Sequence, residues 1–193
     1  MIKIKFCGLS RVEDINFVNE LCSEYIGFVF YKKSKRYVAP ETAAALKKIL
    51  RKEISAVGVF VDAPIDFVAS LNFLDAIQLH GNESETYIKN LRGLTNKIII
   101  KAFRFDAIKN TAADFILIDA GAGDGKTFDW TKINLQREYF LAGGLNPENV
   151  STAIKILKPF AVDVSSGIET GGRKDFSKMK KFIRAVRGEF YDK

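Results

Sequence analysis

Eight short apolar runs recur along this chain of 193 residues. They are IKIKFC (2–7), YIGFVF (25–30), SAVGVFV (55–61), DAIQL (75–79), IIIKAF (98–103), DFILID (114–119), EYFLA (138–142) and FAVDV (160–164). Each has the length and β-branched or aromatic content of a strand, and the period is about 25 residues. Segments with helical spacing follow them: 12–23, PETAAALKKIL (40–50), 64–73, 84–92, 105–112, 129–136, NPENVSTAIKIL (146–157) and 175–187. In the second of these Pro40 takes a helix-opening position and Ala44, Leu46 and Leu50 supply the apolar face; in the seventh Asn146 caps, Pro147 sits in the first turn, and Val150, Ala153, Ile154 and Leu157 face inward. Strands alternating with helices imply an α/β fold with a parallel sheet.

Eight is also the number of strands that closes a (β/α)8 barrel, a fold of typically ~250 residues that shrinks to ~200 when its loops are short. The expectation is therefore a compact, single (β/α)8 TIM barrel over 1–193, with an open doubly wound sheet as the structural alternative. Strand parity favours the barrel. Ile2, Ile4 and Phe6 share one face of the first strand, and Lys3, Lys5 and Cys7 the other. Ile116 and Ile118 oppose Asp119, and Val162 and Val164 oppose Asp163 and Ser165. Cys7, Asp119 and Asp163 thus fall on inward faces near strand C-termini, where barrel enzymes keep their chemistry.

Charge and cysteine content narrow the function. Thirty Lys and Arg against 23 Asp and Glu give a net charge of +7, which suits small anions or nucleic acid. A nucleic-acid surface needs a basic stripe interleaved with aromatics. The run KMKKFIRAVR (178–187) instead carries Met179, Phe182, Ile183 and Val186 as the apolar stripe of an amphipathic helix. Two cysteines and one histidine make neither a disulfide framework nor a zinc site. No run approaches the ~18 apolar residues of a membrane span, and no signal-peptide core is evident, so a cytoplasmic protein without membrane or nucleic-acid partners is expected.

Two glycine-rich stretches follow the last two strands: AGGL (142–145) and SSGIETGG (165–172). Glycine lets backbone approach an anion closely, and the loops after strands seven and eight are the usual phosphate cradle of a barrel. Gly143, Gly144, Ser166 and Gly167 are the candidates. AGAGDGKT (120–127) nearly fits a nucleotide phosphate loop, but Ala120 stands where its first glycine belongs, and a loop that folds over substrate suits it better. Cys22 reads as packing on an apolar helix face. Cys7 differs, because Lys5 is its same-face neighbour and an adjacent ammonium lowers a thiol pKa of ~8.5. His80 closes QLHG and fits a structural role as well as an accessory one.

Taken in order, KFCGLSR (5–11), GFVFYKKSKRYVAPE (27–41), VGVFV (57–61), QLHG (78–81), GKTFDW (125–130), AGGLNPENV (142–150) and VDVSSGIE (162–169) closely resemble the phosphoribosylanthranilate isomerase family. The resemblance implies a (β/α)8 barrel of tryptophan biosynthesis. It implies a cofactor-independent Amadori rearrangement of N-(5-phosphoribosyl)anthranilate to 1-(2-carboxyphenylamino)-1-deoxyribulose 5-phosphate, by a monomer or homodimer. It further implies Cys7 as general base, Asp119 as general acid, Arg36 on the anthranilate carboxylate, Asp163 near the sugar hydroxyls, and the glycine loops on the phosphate. A carboxyl group that must hold a proton near neutral pH needs a dry pocket, so Asp119 is expected to be buried. Two positions depart from the family pattern: Phe6 replaces the usual isoleucine, and Ala122-Gly123 replaces a common Gly-Gly pair. Rival readings are a sister phosphosugar barrel, which would need a lysine–glutamate set or metal-binding histidines, and a non-catalytic basic barrel that binds RNA or another anion.

Overall fold

The computed structural model describes residues 1–119 and 137–188. Eight parallel strands form a closed barrel in chain order: β1 (Lys3–Cys7), β2 (Tyr25–Val29), β3 (Ser55–Phe60), β4 (Ala76–Leu79), β5 (Ile98–Arg104), β6 (Phe115–Asp119), β7 (Tyr139–Ala142) and β8 (Ala161–Val164). Closure is made by β1 against β8, with Lys5 in register with Asp163. The open-sheet alternative is thereby excluded.

The strand alternation sorts side chains into two cores. Outward residues such as Ile4, Phe6, Ile116, Ile118, Val162 and Val164 join the layer beneath the helices. Phe6 meets Phe182 of the last helix edge-on, with ring centroids 6.2 Å apart, so the departure at Phe6 lies away from the barrel interior. Inward residues fill the barrel. Val57, Ala76, Ile100, Leu117, Phe140 and Ala161 form its packed middle, and Tyr25, Phe115 and Phe160 close the N-terminal end. Above them, among the described residues, lies a small apolar group of Cys7, Val29 and Val59 with Tyr31 against it. Polar groups share the upper interior with it.

The helices are α1 (Val12–Leu21), α2 (Pro40–Ile49), α3 (Ile65–Ser70), α4 (Glu85–Leu94), α5 (Val150–Leu157) and α6 (Phe176–Arg187). None among the described residues is long and apolar enough to cross a membrane. Pro40 opens α2 as its first residue, but the residues buried along that helix are Ala43 and Leu46, not Ala44. Asn146 caps the turn that precedes α5, where its side-chain oxygen accepts the amides of Glu148 and Asn149 at 3.0 Å.

Two expectations fail here. No helix forms over 105–112; a turn closed by Ala107 N–H to Arg104 C=O at 3.0 Å leads into irregular chain. Phe105 and Ile108 pack against the outer core from that turn, so their spacing of three imitates a helical face. Asp106 is held by the neighbouring Arg104, and the Thr111 hydroxyl accepts the Ala113 amide, both local bonds that compete with a helix. Cys22 is not buried on a helix face. It is exposed and ends α1 in the left-handed region, at φ 52°. The helix expected over 129–136 and the glycine loop 120–127, including Ala122-Gly123, lie outside the described residues.

Candidate active site

The C-terminal mouth of the barrel gathers the predicted polar residues. β1 ends in Cys7, which is buried at 9% exposure, and Gly8 turns the chain away at φ +80°. Gly27 on the adjacent strand makes room for it: a Cβ there would lie 2.8 Å from the Cys7 sulfur and 3.2 Å from Lys5 Nζ. Lys5 is wholly buried, and its ammonium donates to Asp163 Oδ1 at 2.9 Å. Burial pulls the Lys5 pKa down, but the Asp163 carboxylate and Cys7 outweigh it and leave it above its ordinary value.

The same surroundings act on the thiol with the opposite result. Burial pushes the Cys7 pKa up, and although Lys5 and Lys174 pull it down, Asp163 adds to the rise, so it lies above that of a free cysteine. Lys5 acts in the expected direction, but burial outweighs it, so the expected net lowering is corrected to a rise. The charge of Lys5 is shared with a carboxylate that the strand register places beside it.

Asp119 ends β6 at the same mouth, three strands around the barrel from β1 by way of β7 and β8. Its Oδ2 lies 3.3 Å from His80 Nε2, and His80 Nδ1 lies 2.9 Å from Gln78 Nε2. The Asp119 side chain is 30% exposed, not buried as expected. Both Asp119 and His80 line a cavity of about 750 Å³ above β4–β6, together with Lys101 and Arg104. Lys101, nearly buried, donates to Glu83 Oε2 and the Gly81 carbonyl, each at 2.7 Å, and so ties down the loop that follows His80.

The two glycine loops pack on each other. Gly143 and Gly144 turn after β7 at φ 91° and 65°. The Gly144 carbonyl accepts Asn149 Nδ2 at 2.9 Å, and Asn149 Oδ1 accepts the Asn146 amide. After β8 a short 3-10 turn spans Ser166–Ile168. A Cβ on Gly167 would stand 2.0 Å from the Leu145 carbonyl oxygen, so only glycine allows this approach. Gly167 therefore packs on the backbone of Leu145 and Asn146, directly after the Gly143-Gly144 turn.

Arg36 completes the group. Its stem crosses Gly8, where a Cβ would fall 2.3 Å from Arg36 Cδ. Its guanidinium grips Glu169 with two bonds, Nε to Oε1 at 2.7 Å and Nη2 to Oε2 at 2.8 Å. Burial pushes the Glu169 carboxyl up, but Arg36 and Lys174 overcome it and hold it below the ordinary carboxylate range. Lys174 donates to Glu169 Oε1 at 2.7 Å and to the Ser165 carbonyl at 3.0 Å. Ser165 in turn donates its hydroxyl to the Cys7 carbonyl at 2.9 Å, which links this network to the end of β1.

The family model described as N-(5'phosphoribosyl)anthranilate (PRA) isomerase matches residues 4–185. The chain belongs to that family. An N-(5'-phosphoribosyl)anthranilate isomerase of Thermoanaerobacter sp. (strain X514) is 44% identical over 206 aligned positions, covering 97% of this chain and 99% of the relative. The phosphoribosyl anthranilate isomerase structure from Thermotoga maritima superposes with a TM-score of 0.84 at 37% identity, covering 97% of this chain and all of that one. A third match, a PRA isomerase solved with reduced 1-(o-carboxyphenylamino)-1-deoxyribulose 5-phosphate, has a TM-score of 0.82 at 36% identity over 97% of this chain and 100% of its own.

Lys174, Glu169 and Gly27 escaped the sequence reading of this PRA isomerase family member. For Lys174 a signal was present. Gly171-Gly172, at φ 58° and 76°, is a two-residue hairpin turn between β9 (Glu169–Thr170) and β10 (Arg173–Lys174). That hairpin puts Lys174 in register with Glu169. Gly27 offered none, because a glycine inside a strand can mark several kinds of close approach.

Proposed function

We propose that this chain converts N-(5'-phosphoribosyl)anthranilate into 1-(2-carboxyphenylamino)-1-deoxyribulose 5-phosphate, the isomerisation step of tryptophan biosynthesis, with Cys7 as general base and Asp119 as general acid. The observation that carries the reading is that a thiol and a carboxyl end β1 and β6 at one mouth, beside paired glycine loops and an arginine fork.

The chemistry runs in three stages. Asp119 gives a proton to the furanose ring oxygen while the anthranilate nitrogen lone pair expels it from C1, which leaves an open-chain protonated Schiff base. That cation acidifies the C2 hydrogen. Cys7, as thiolate, removes the C2 proton, and the electron pair flows into the C1–C2 bond to give an enolamine. Protonation at C1 and loss of the hydroxyl proton at C2 then yield the ketone. Each acid or base contribution is typically worth ~10²–10⁴ in rate.

The anion sites divide between the two ends of the substrate. Arg36 takes the anthranilate carboxylate, for which a planar fork is suited. Gly143, Gly144, Ser166 and Gly167 take the phosphate through backbone amides. Asp163, with one oxygen on Lys5, keeps the other for a sugar hydroxyl. His80 orients Asp119 in an accessory role, and Lys5 fixes Asp163. All these residues belong to one chain, so the proposal holds for a monomer and a homodimer alike.

The direct test is a fluorescence assay of the purified chain with freshly generated N-(5'-phosphoribosyl)anthranilate, run beside the histidine-pathway aminoaldose. Turnover of the anthranilate substrate without added cofactor is expected. Anion binding with no turnover of either would favour the non-catalytic barrel.

A further inference from the structure

Arg36 is clamped from two sides. Its stem lies across Gly8, and its Nε and Nη2 are bound by both oxygens of Glu169. Glu169 is itself fixed: it starts the β9–β10 ribbon, and its Oε1 also accepts from Lys174, which is 6% exposed and anchored on the Ser165 carbonyl. A guanidinium has two edges able to hold a carboxylate through parallel N–H bonds, the Nε/Nη2 edge and the Nη1/Nη2 edge. Glu169 occupies the first. Among the described residues no hydrogen bond uses Nη1, so the second edge stays open while the arginine side chain is 32% exposed.

We propose that Glu169 is a positioning residue that aims the open Nη1/Nη2 edge of Arg36 at the substrate carboxylate, and so sets the preference for carboxylated aminoaldoses. The proposal rests on the assignment of Arg36 to that carboxylate. The alternative role, a plug that competes with substrate for the arginine, would need Glu169 to occupy the edge that the substrate uses and to be able to leave it. Glu169 takes the Nε/Nη2 edge, leaves the Nη1/Nη2 edge to an incoming carboxylate, and is held in place by Lys174.

The experiment compares two substrates in the wild type and three variants. The substrates are N-(5'-phosphoribosyl)anthranilate and its decarboxy analogue made from aniline and ribose 5-phosphate; the variants are Glu169→Gln, Arg36→Met and Glu169→Asp. Losing a charge-assisted bond that orients a bound ion corresponds to about 10- to 100-fold in affinity. Glu169→Gln is therefore expected to raise KM for the carboxylated substrate by about 10-fold or more, with kcat within about threefold, and to leave kcat/KM for the aniline analogue at the wild-type value. Glu169→Asp, which restores the charge on a shorter stem, is expected to recover part of the loss and stands in should Glu169→Gln fail to fold by circular dichroism. If Arg36→Met discriminates between the substrates while the Glu169 variants do not, the Glu169 role is overturned and the Arg36 assignment survives. A fall in KM for the Glu169 variants would likewise overturn it, in favour of a plug. Equal losses on both substrates for Arg36→Met would overturn the Arg36 assignment itself.

Discussion

Lys5 Nζ and Asp163 Oδ1 lie 2.9 Å apart inside the barrel wall, in register on β1 and β8, with the Cys7 thiol as their neighbour along the strand. Because the carboxylate shares the ammonium, burial controls the thiol, and its pKa lies above the ordinary value. A raised pKa means a smaller thiolate fraction at neutral pH than in free cysteine. Alkylation by iodoacetamide, followed by mass spectrometry in a Cys22→Ser background, is expected to accelerate with pH and to pass its midpoint above about 8.5. A midpoint below 7 would show that Lys5 prevails over burial.

The same pair makes a stability prediction. Removing one partner of a buried ion pair strands the other, at a typical cost of about 3–5 kcal/mol, whereas replacing both with apolar groups is often tolerated. Lys5→Met should lower the urea midpoint sharply, and Lys5→Met combined with Asp163→Leu should regain most of the loss. Equal destabilisation by the single and double variants would mean that the charges do not interact as described.

Gly27→Ala tests how tightly the base is placed. The new methyl would press on the Cys7 sulfur at 2.8 Å, and a displacement near 1 Å at a reacting group costs on the order of 100-fold. A drop of about that size in kcat, with circular dichroism unchanged, is expected. A fully active Gly27→Ala would detach the position of the thiol from the chemistry.

Gly167→Ala tests the phosphate corner. With a Cβ 2.0 Å from the Leu145 carbonyl, the loops after β7 and β8 must separate. KM should rise at least about tenfold, and inhibition by inorganic phosphate should weaken in parallel. Unchanged phosphate inhibition would move the anion site elsewhere.

The barrel was legible because each strand carries its own two-sided record. In DFILID, Ile116 and Ile118 pack outward and Leu117 inward, as period two requires, and Asp119 then falls at the mouth. The segment 105–112 misled because apolar residues three apart support a turn that packs as well as a helix that packs. Which side chains the strands carry to the mouth was legible; the charges they meet there were not. Sequence adjacency pairs Lys5 with Cys7, but only the folded barrel buries the thiol, which raises its pKa past what Lys5 can lower, and the closure of β1 on β8 brings in Asp163, which adds to the rise. Likewise the grip of Glu169 on Arg36 spans 133 positions and depends on the glycine hairpin that folds Lys174 back.

The acid–base assignment meets its most direct test in the turnover of Cys7→Ala and Asp119→Asn, measured beside the affinity of each variant for a reduced, unreactive form of the product. Losses of ~10²–10⁴ in kcat for each variant, with binding close to wild type, are predicted. Near-normal kcat in either one would remove that residue from the chemistry and contradict the account.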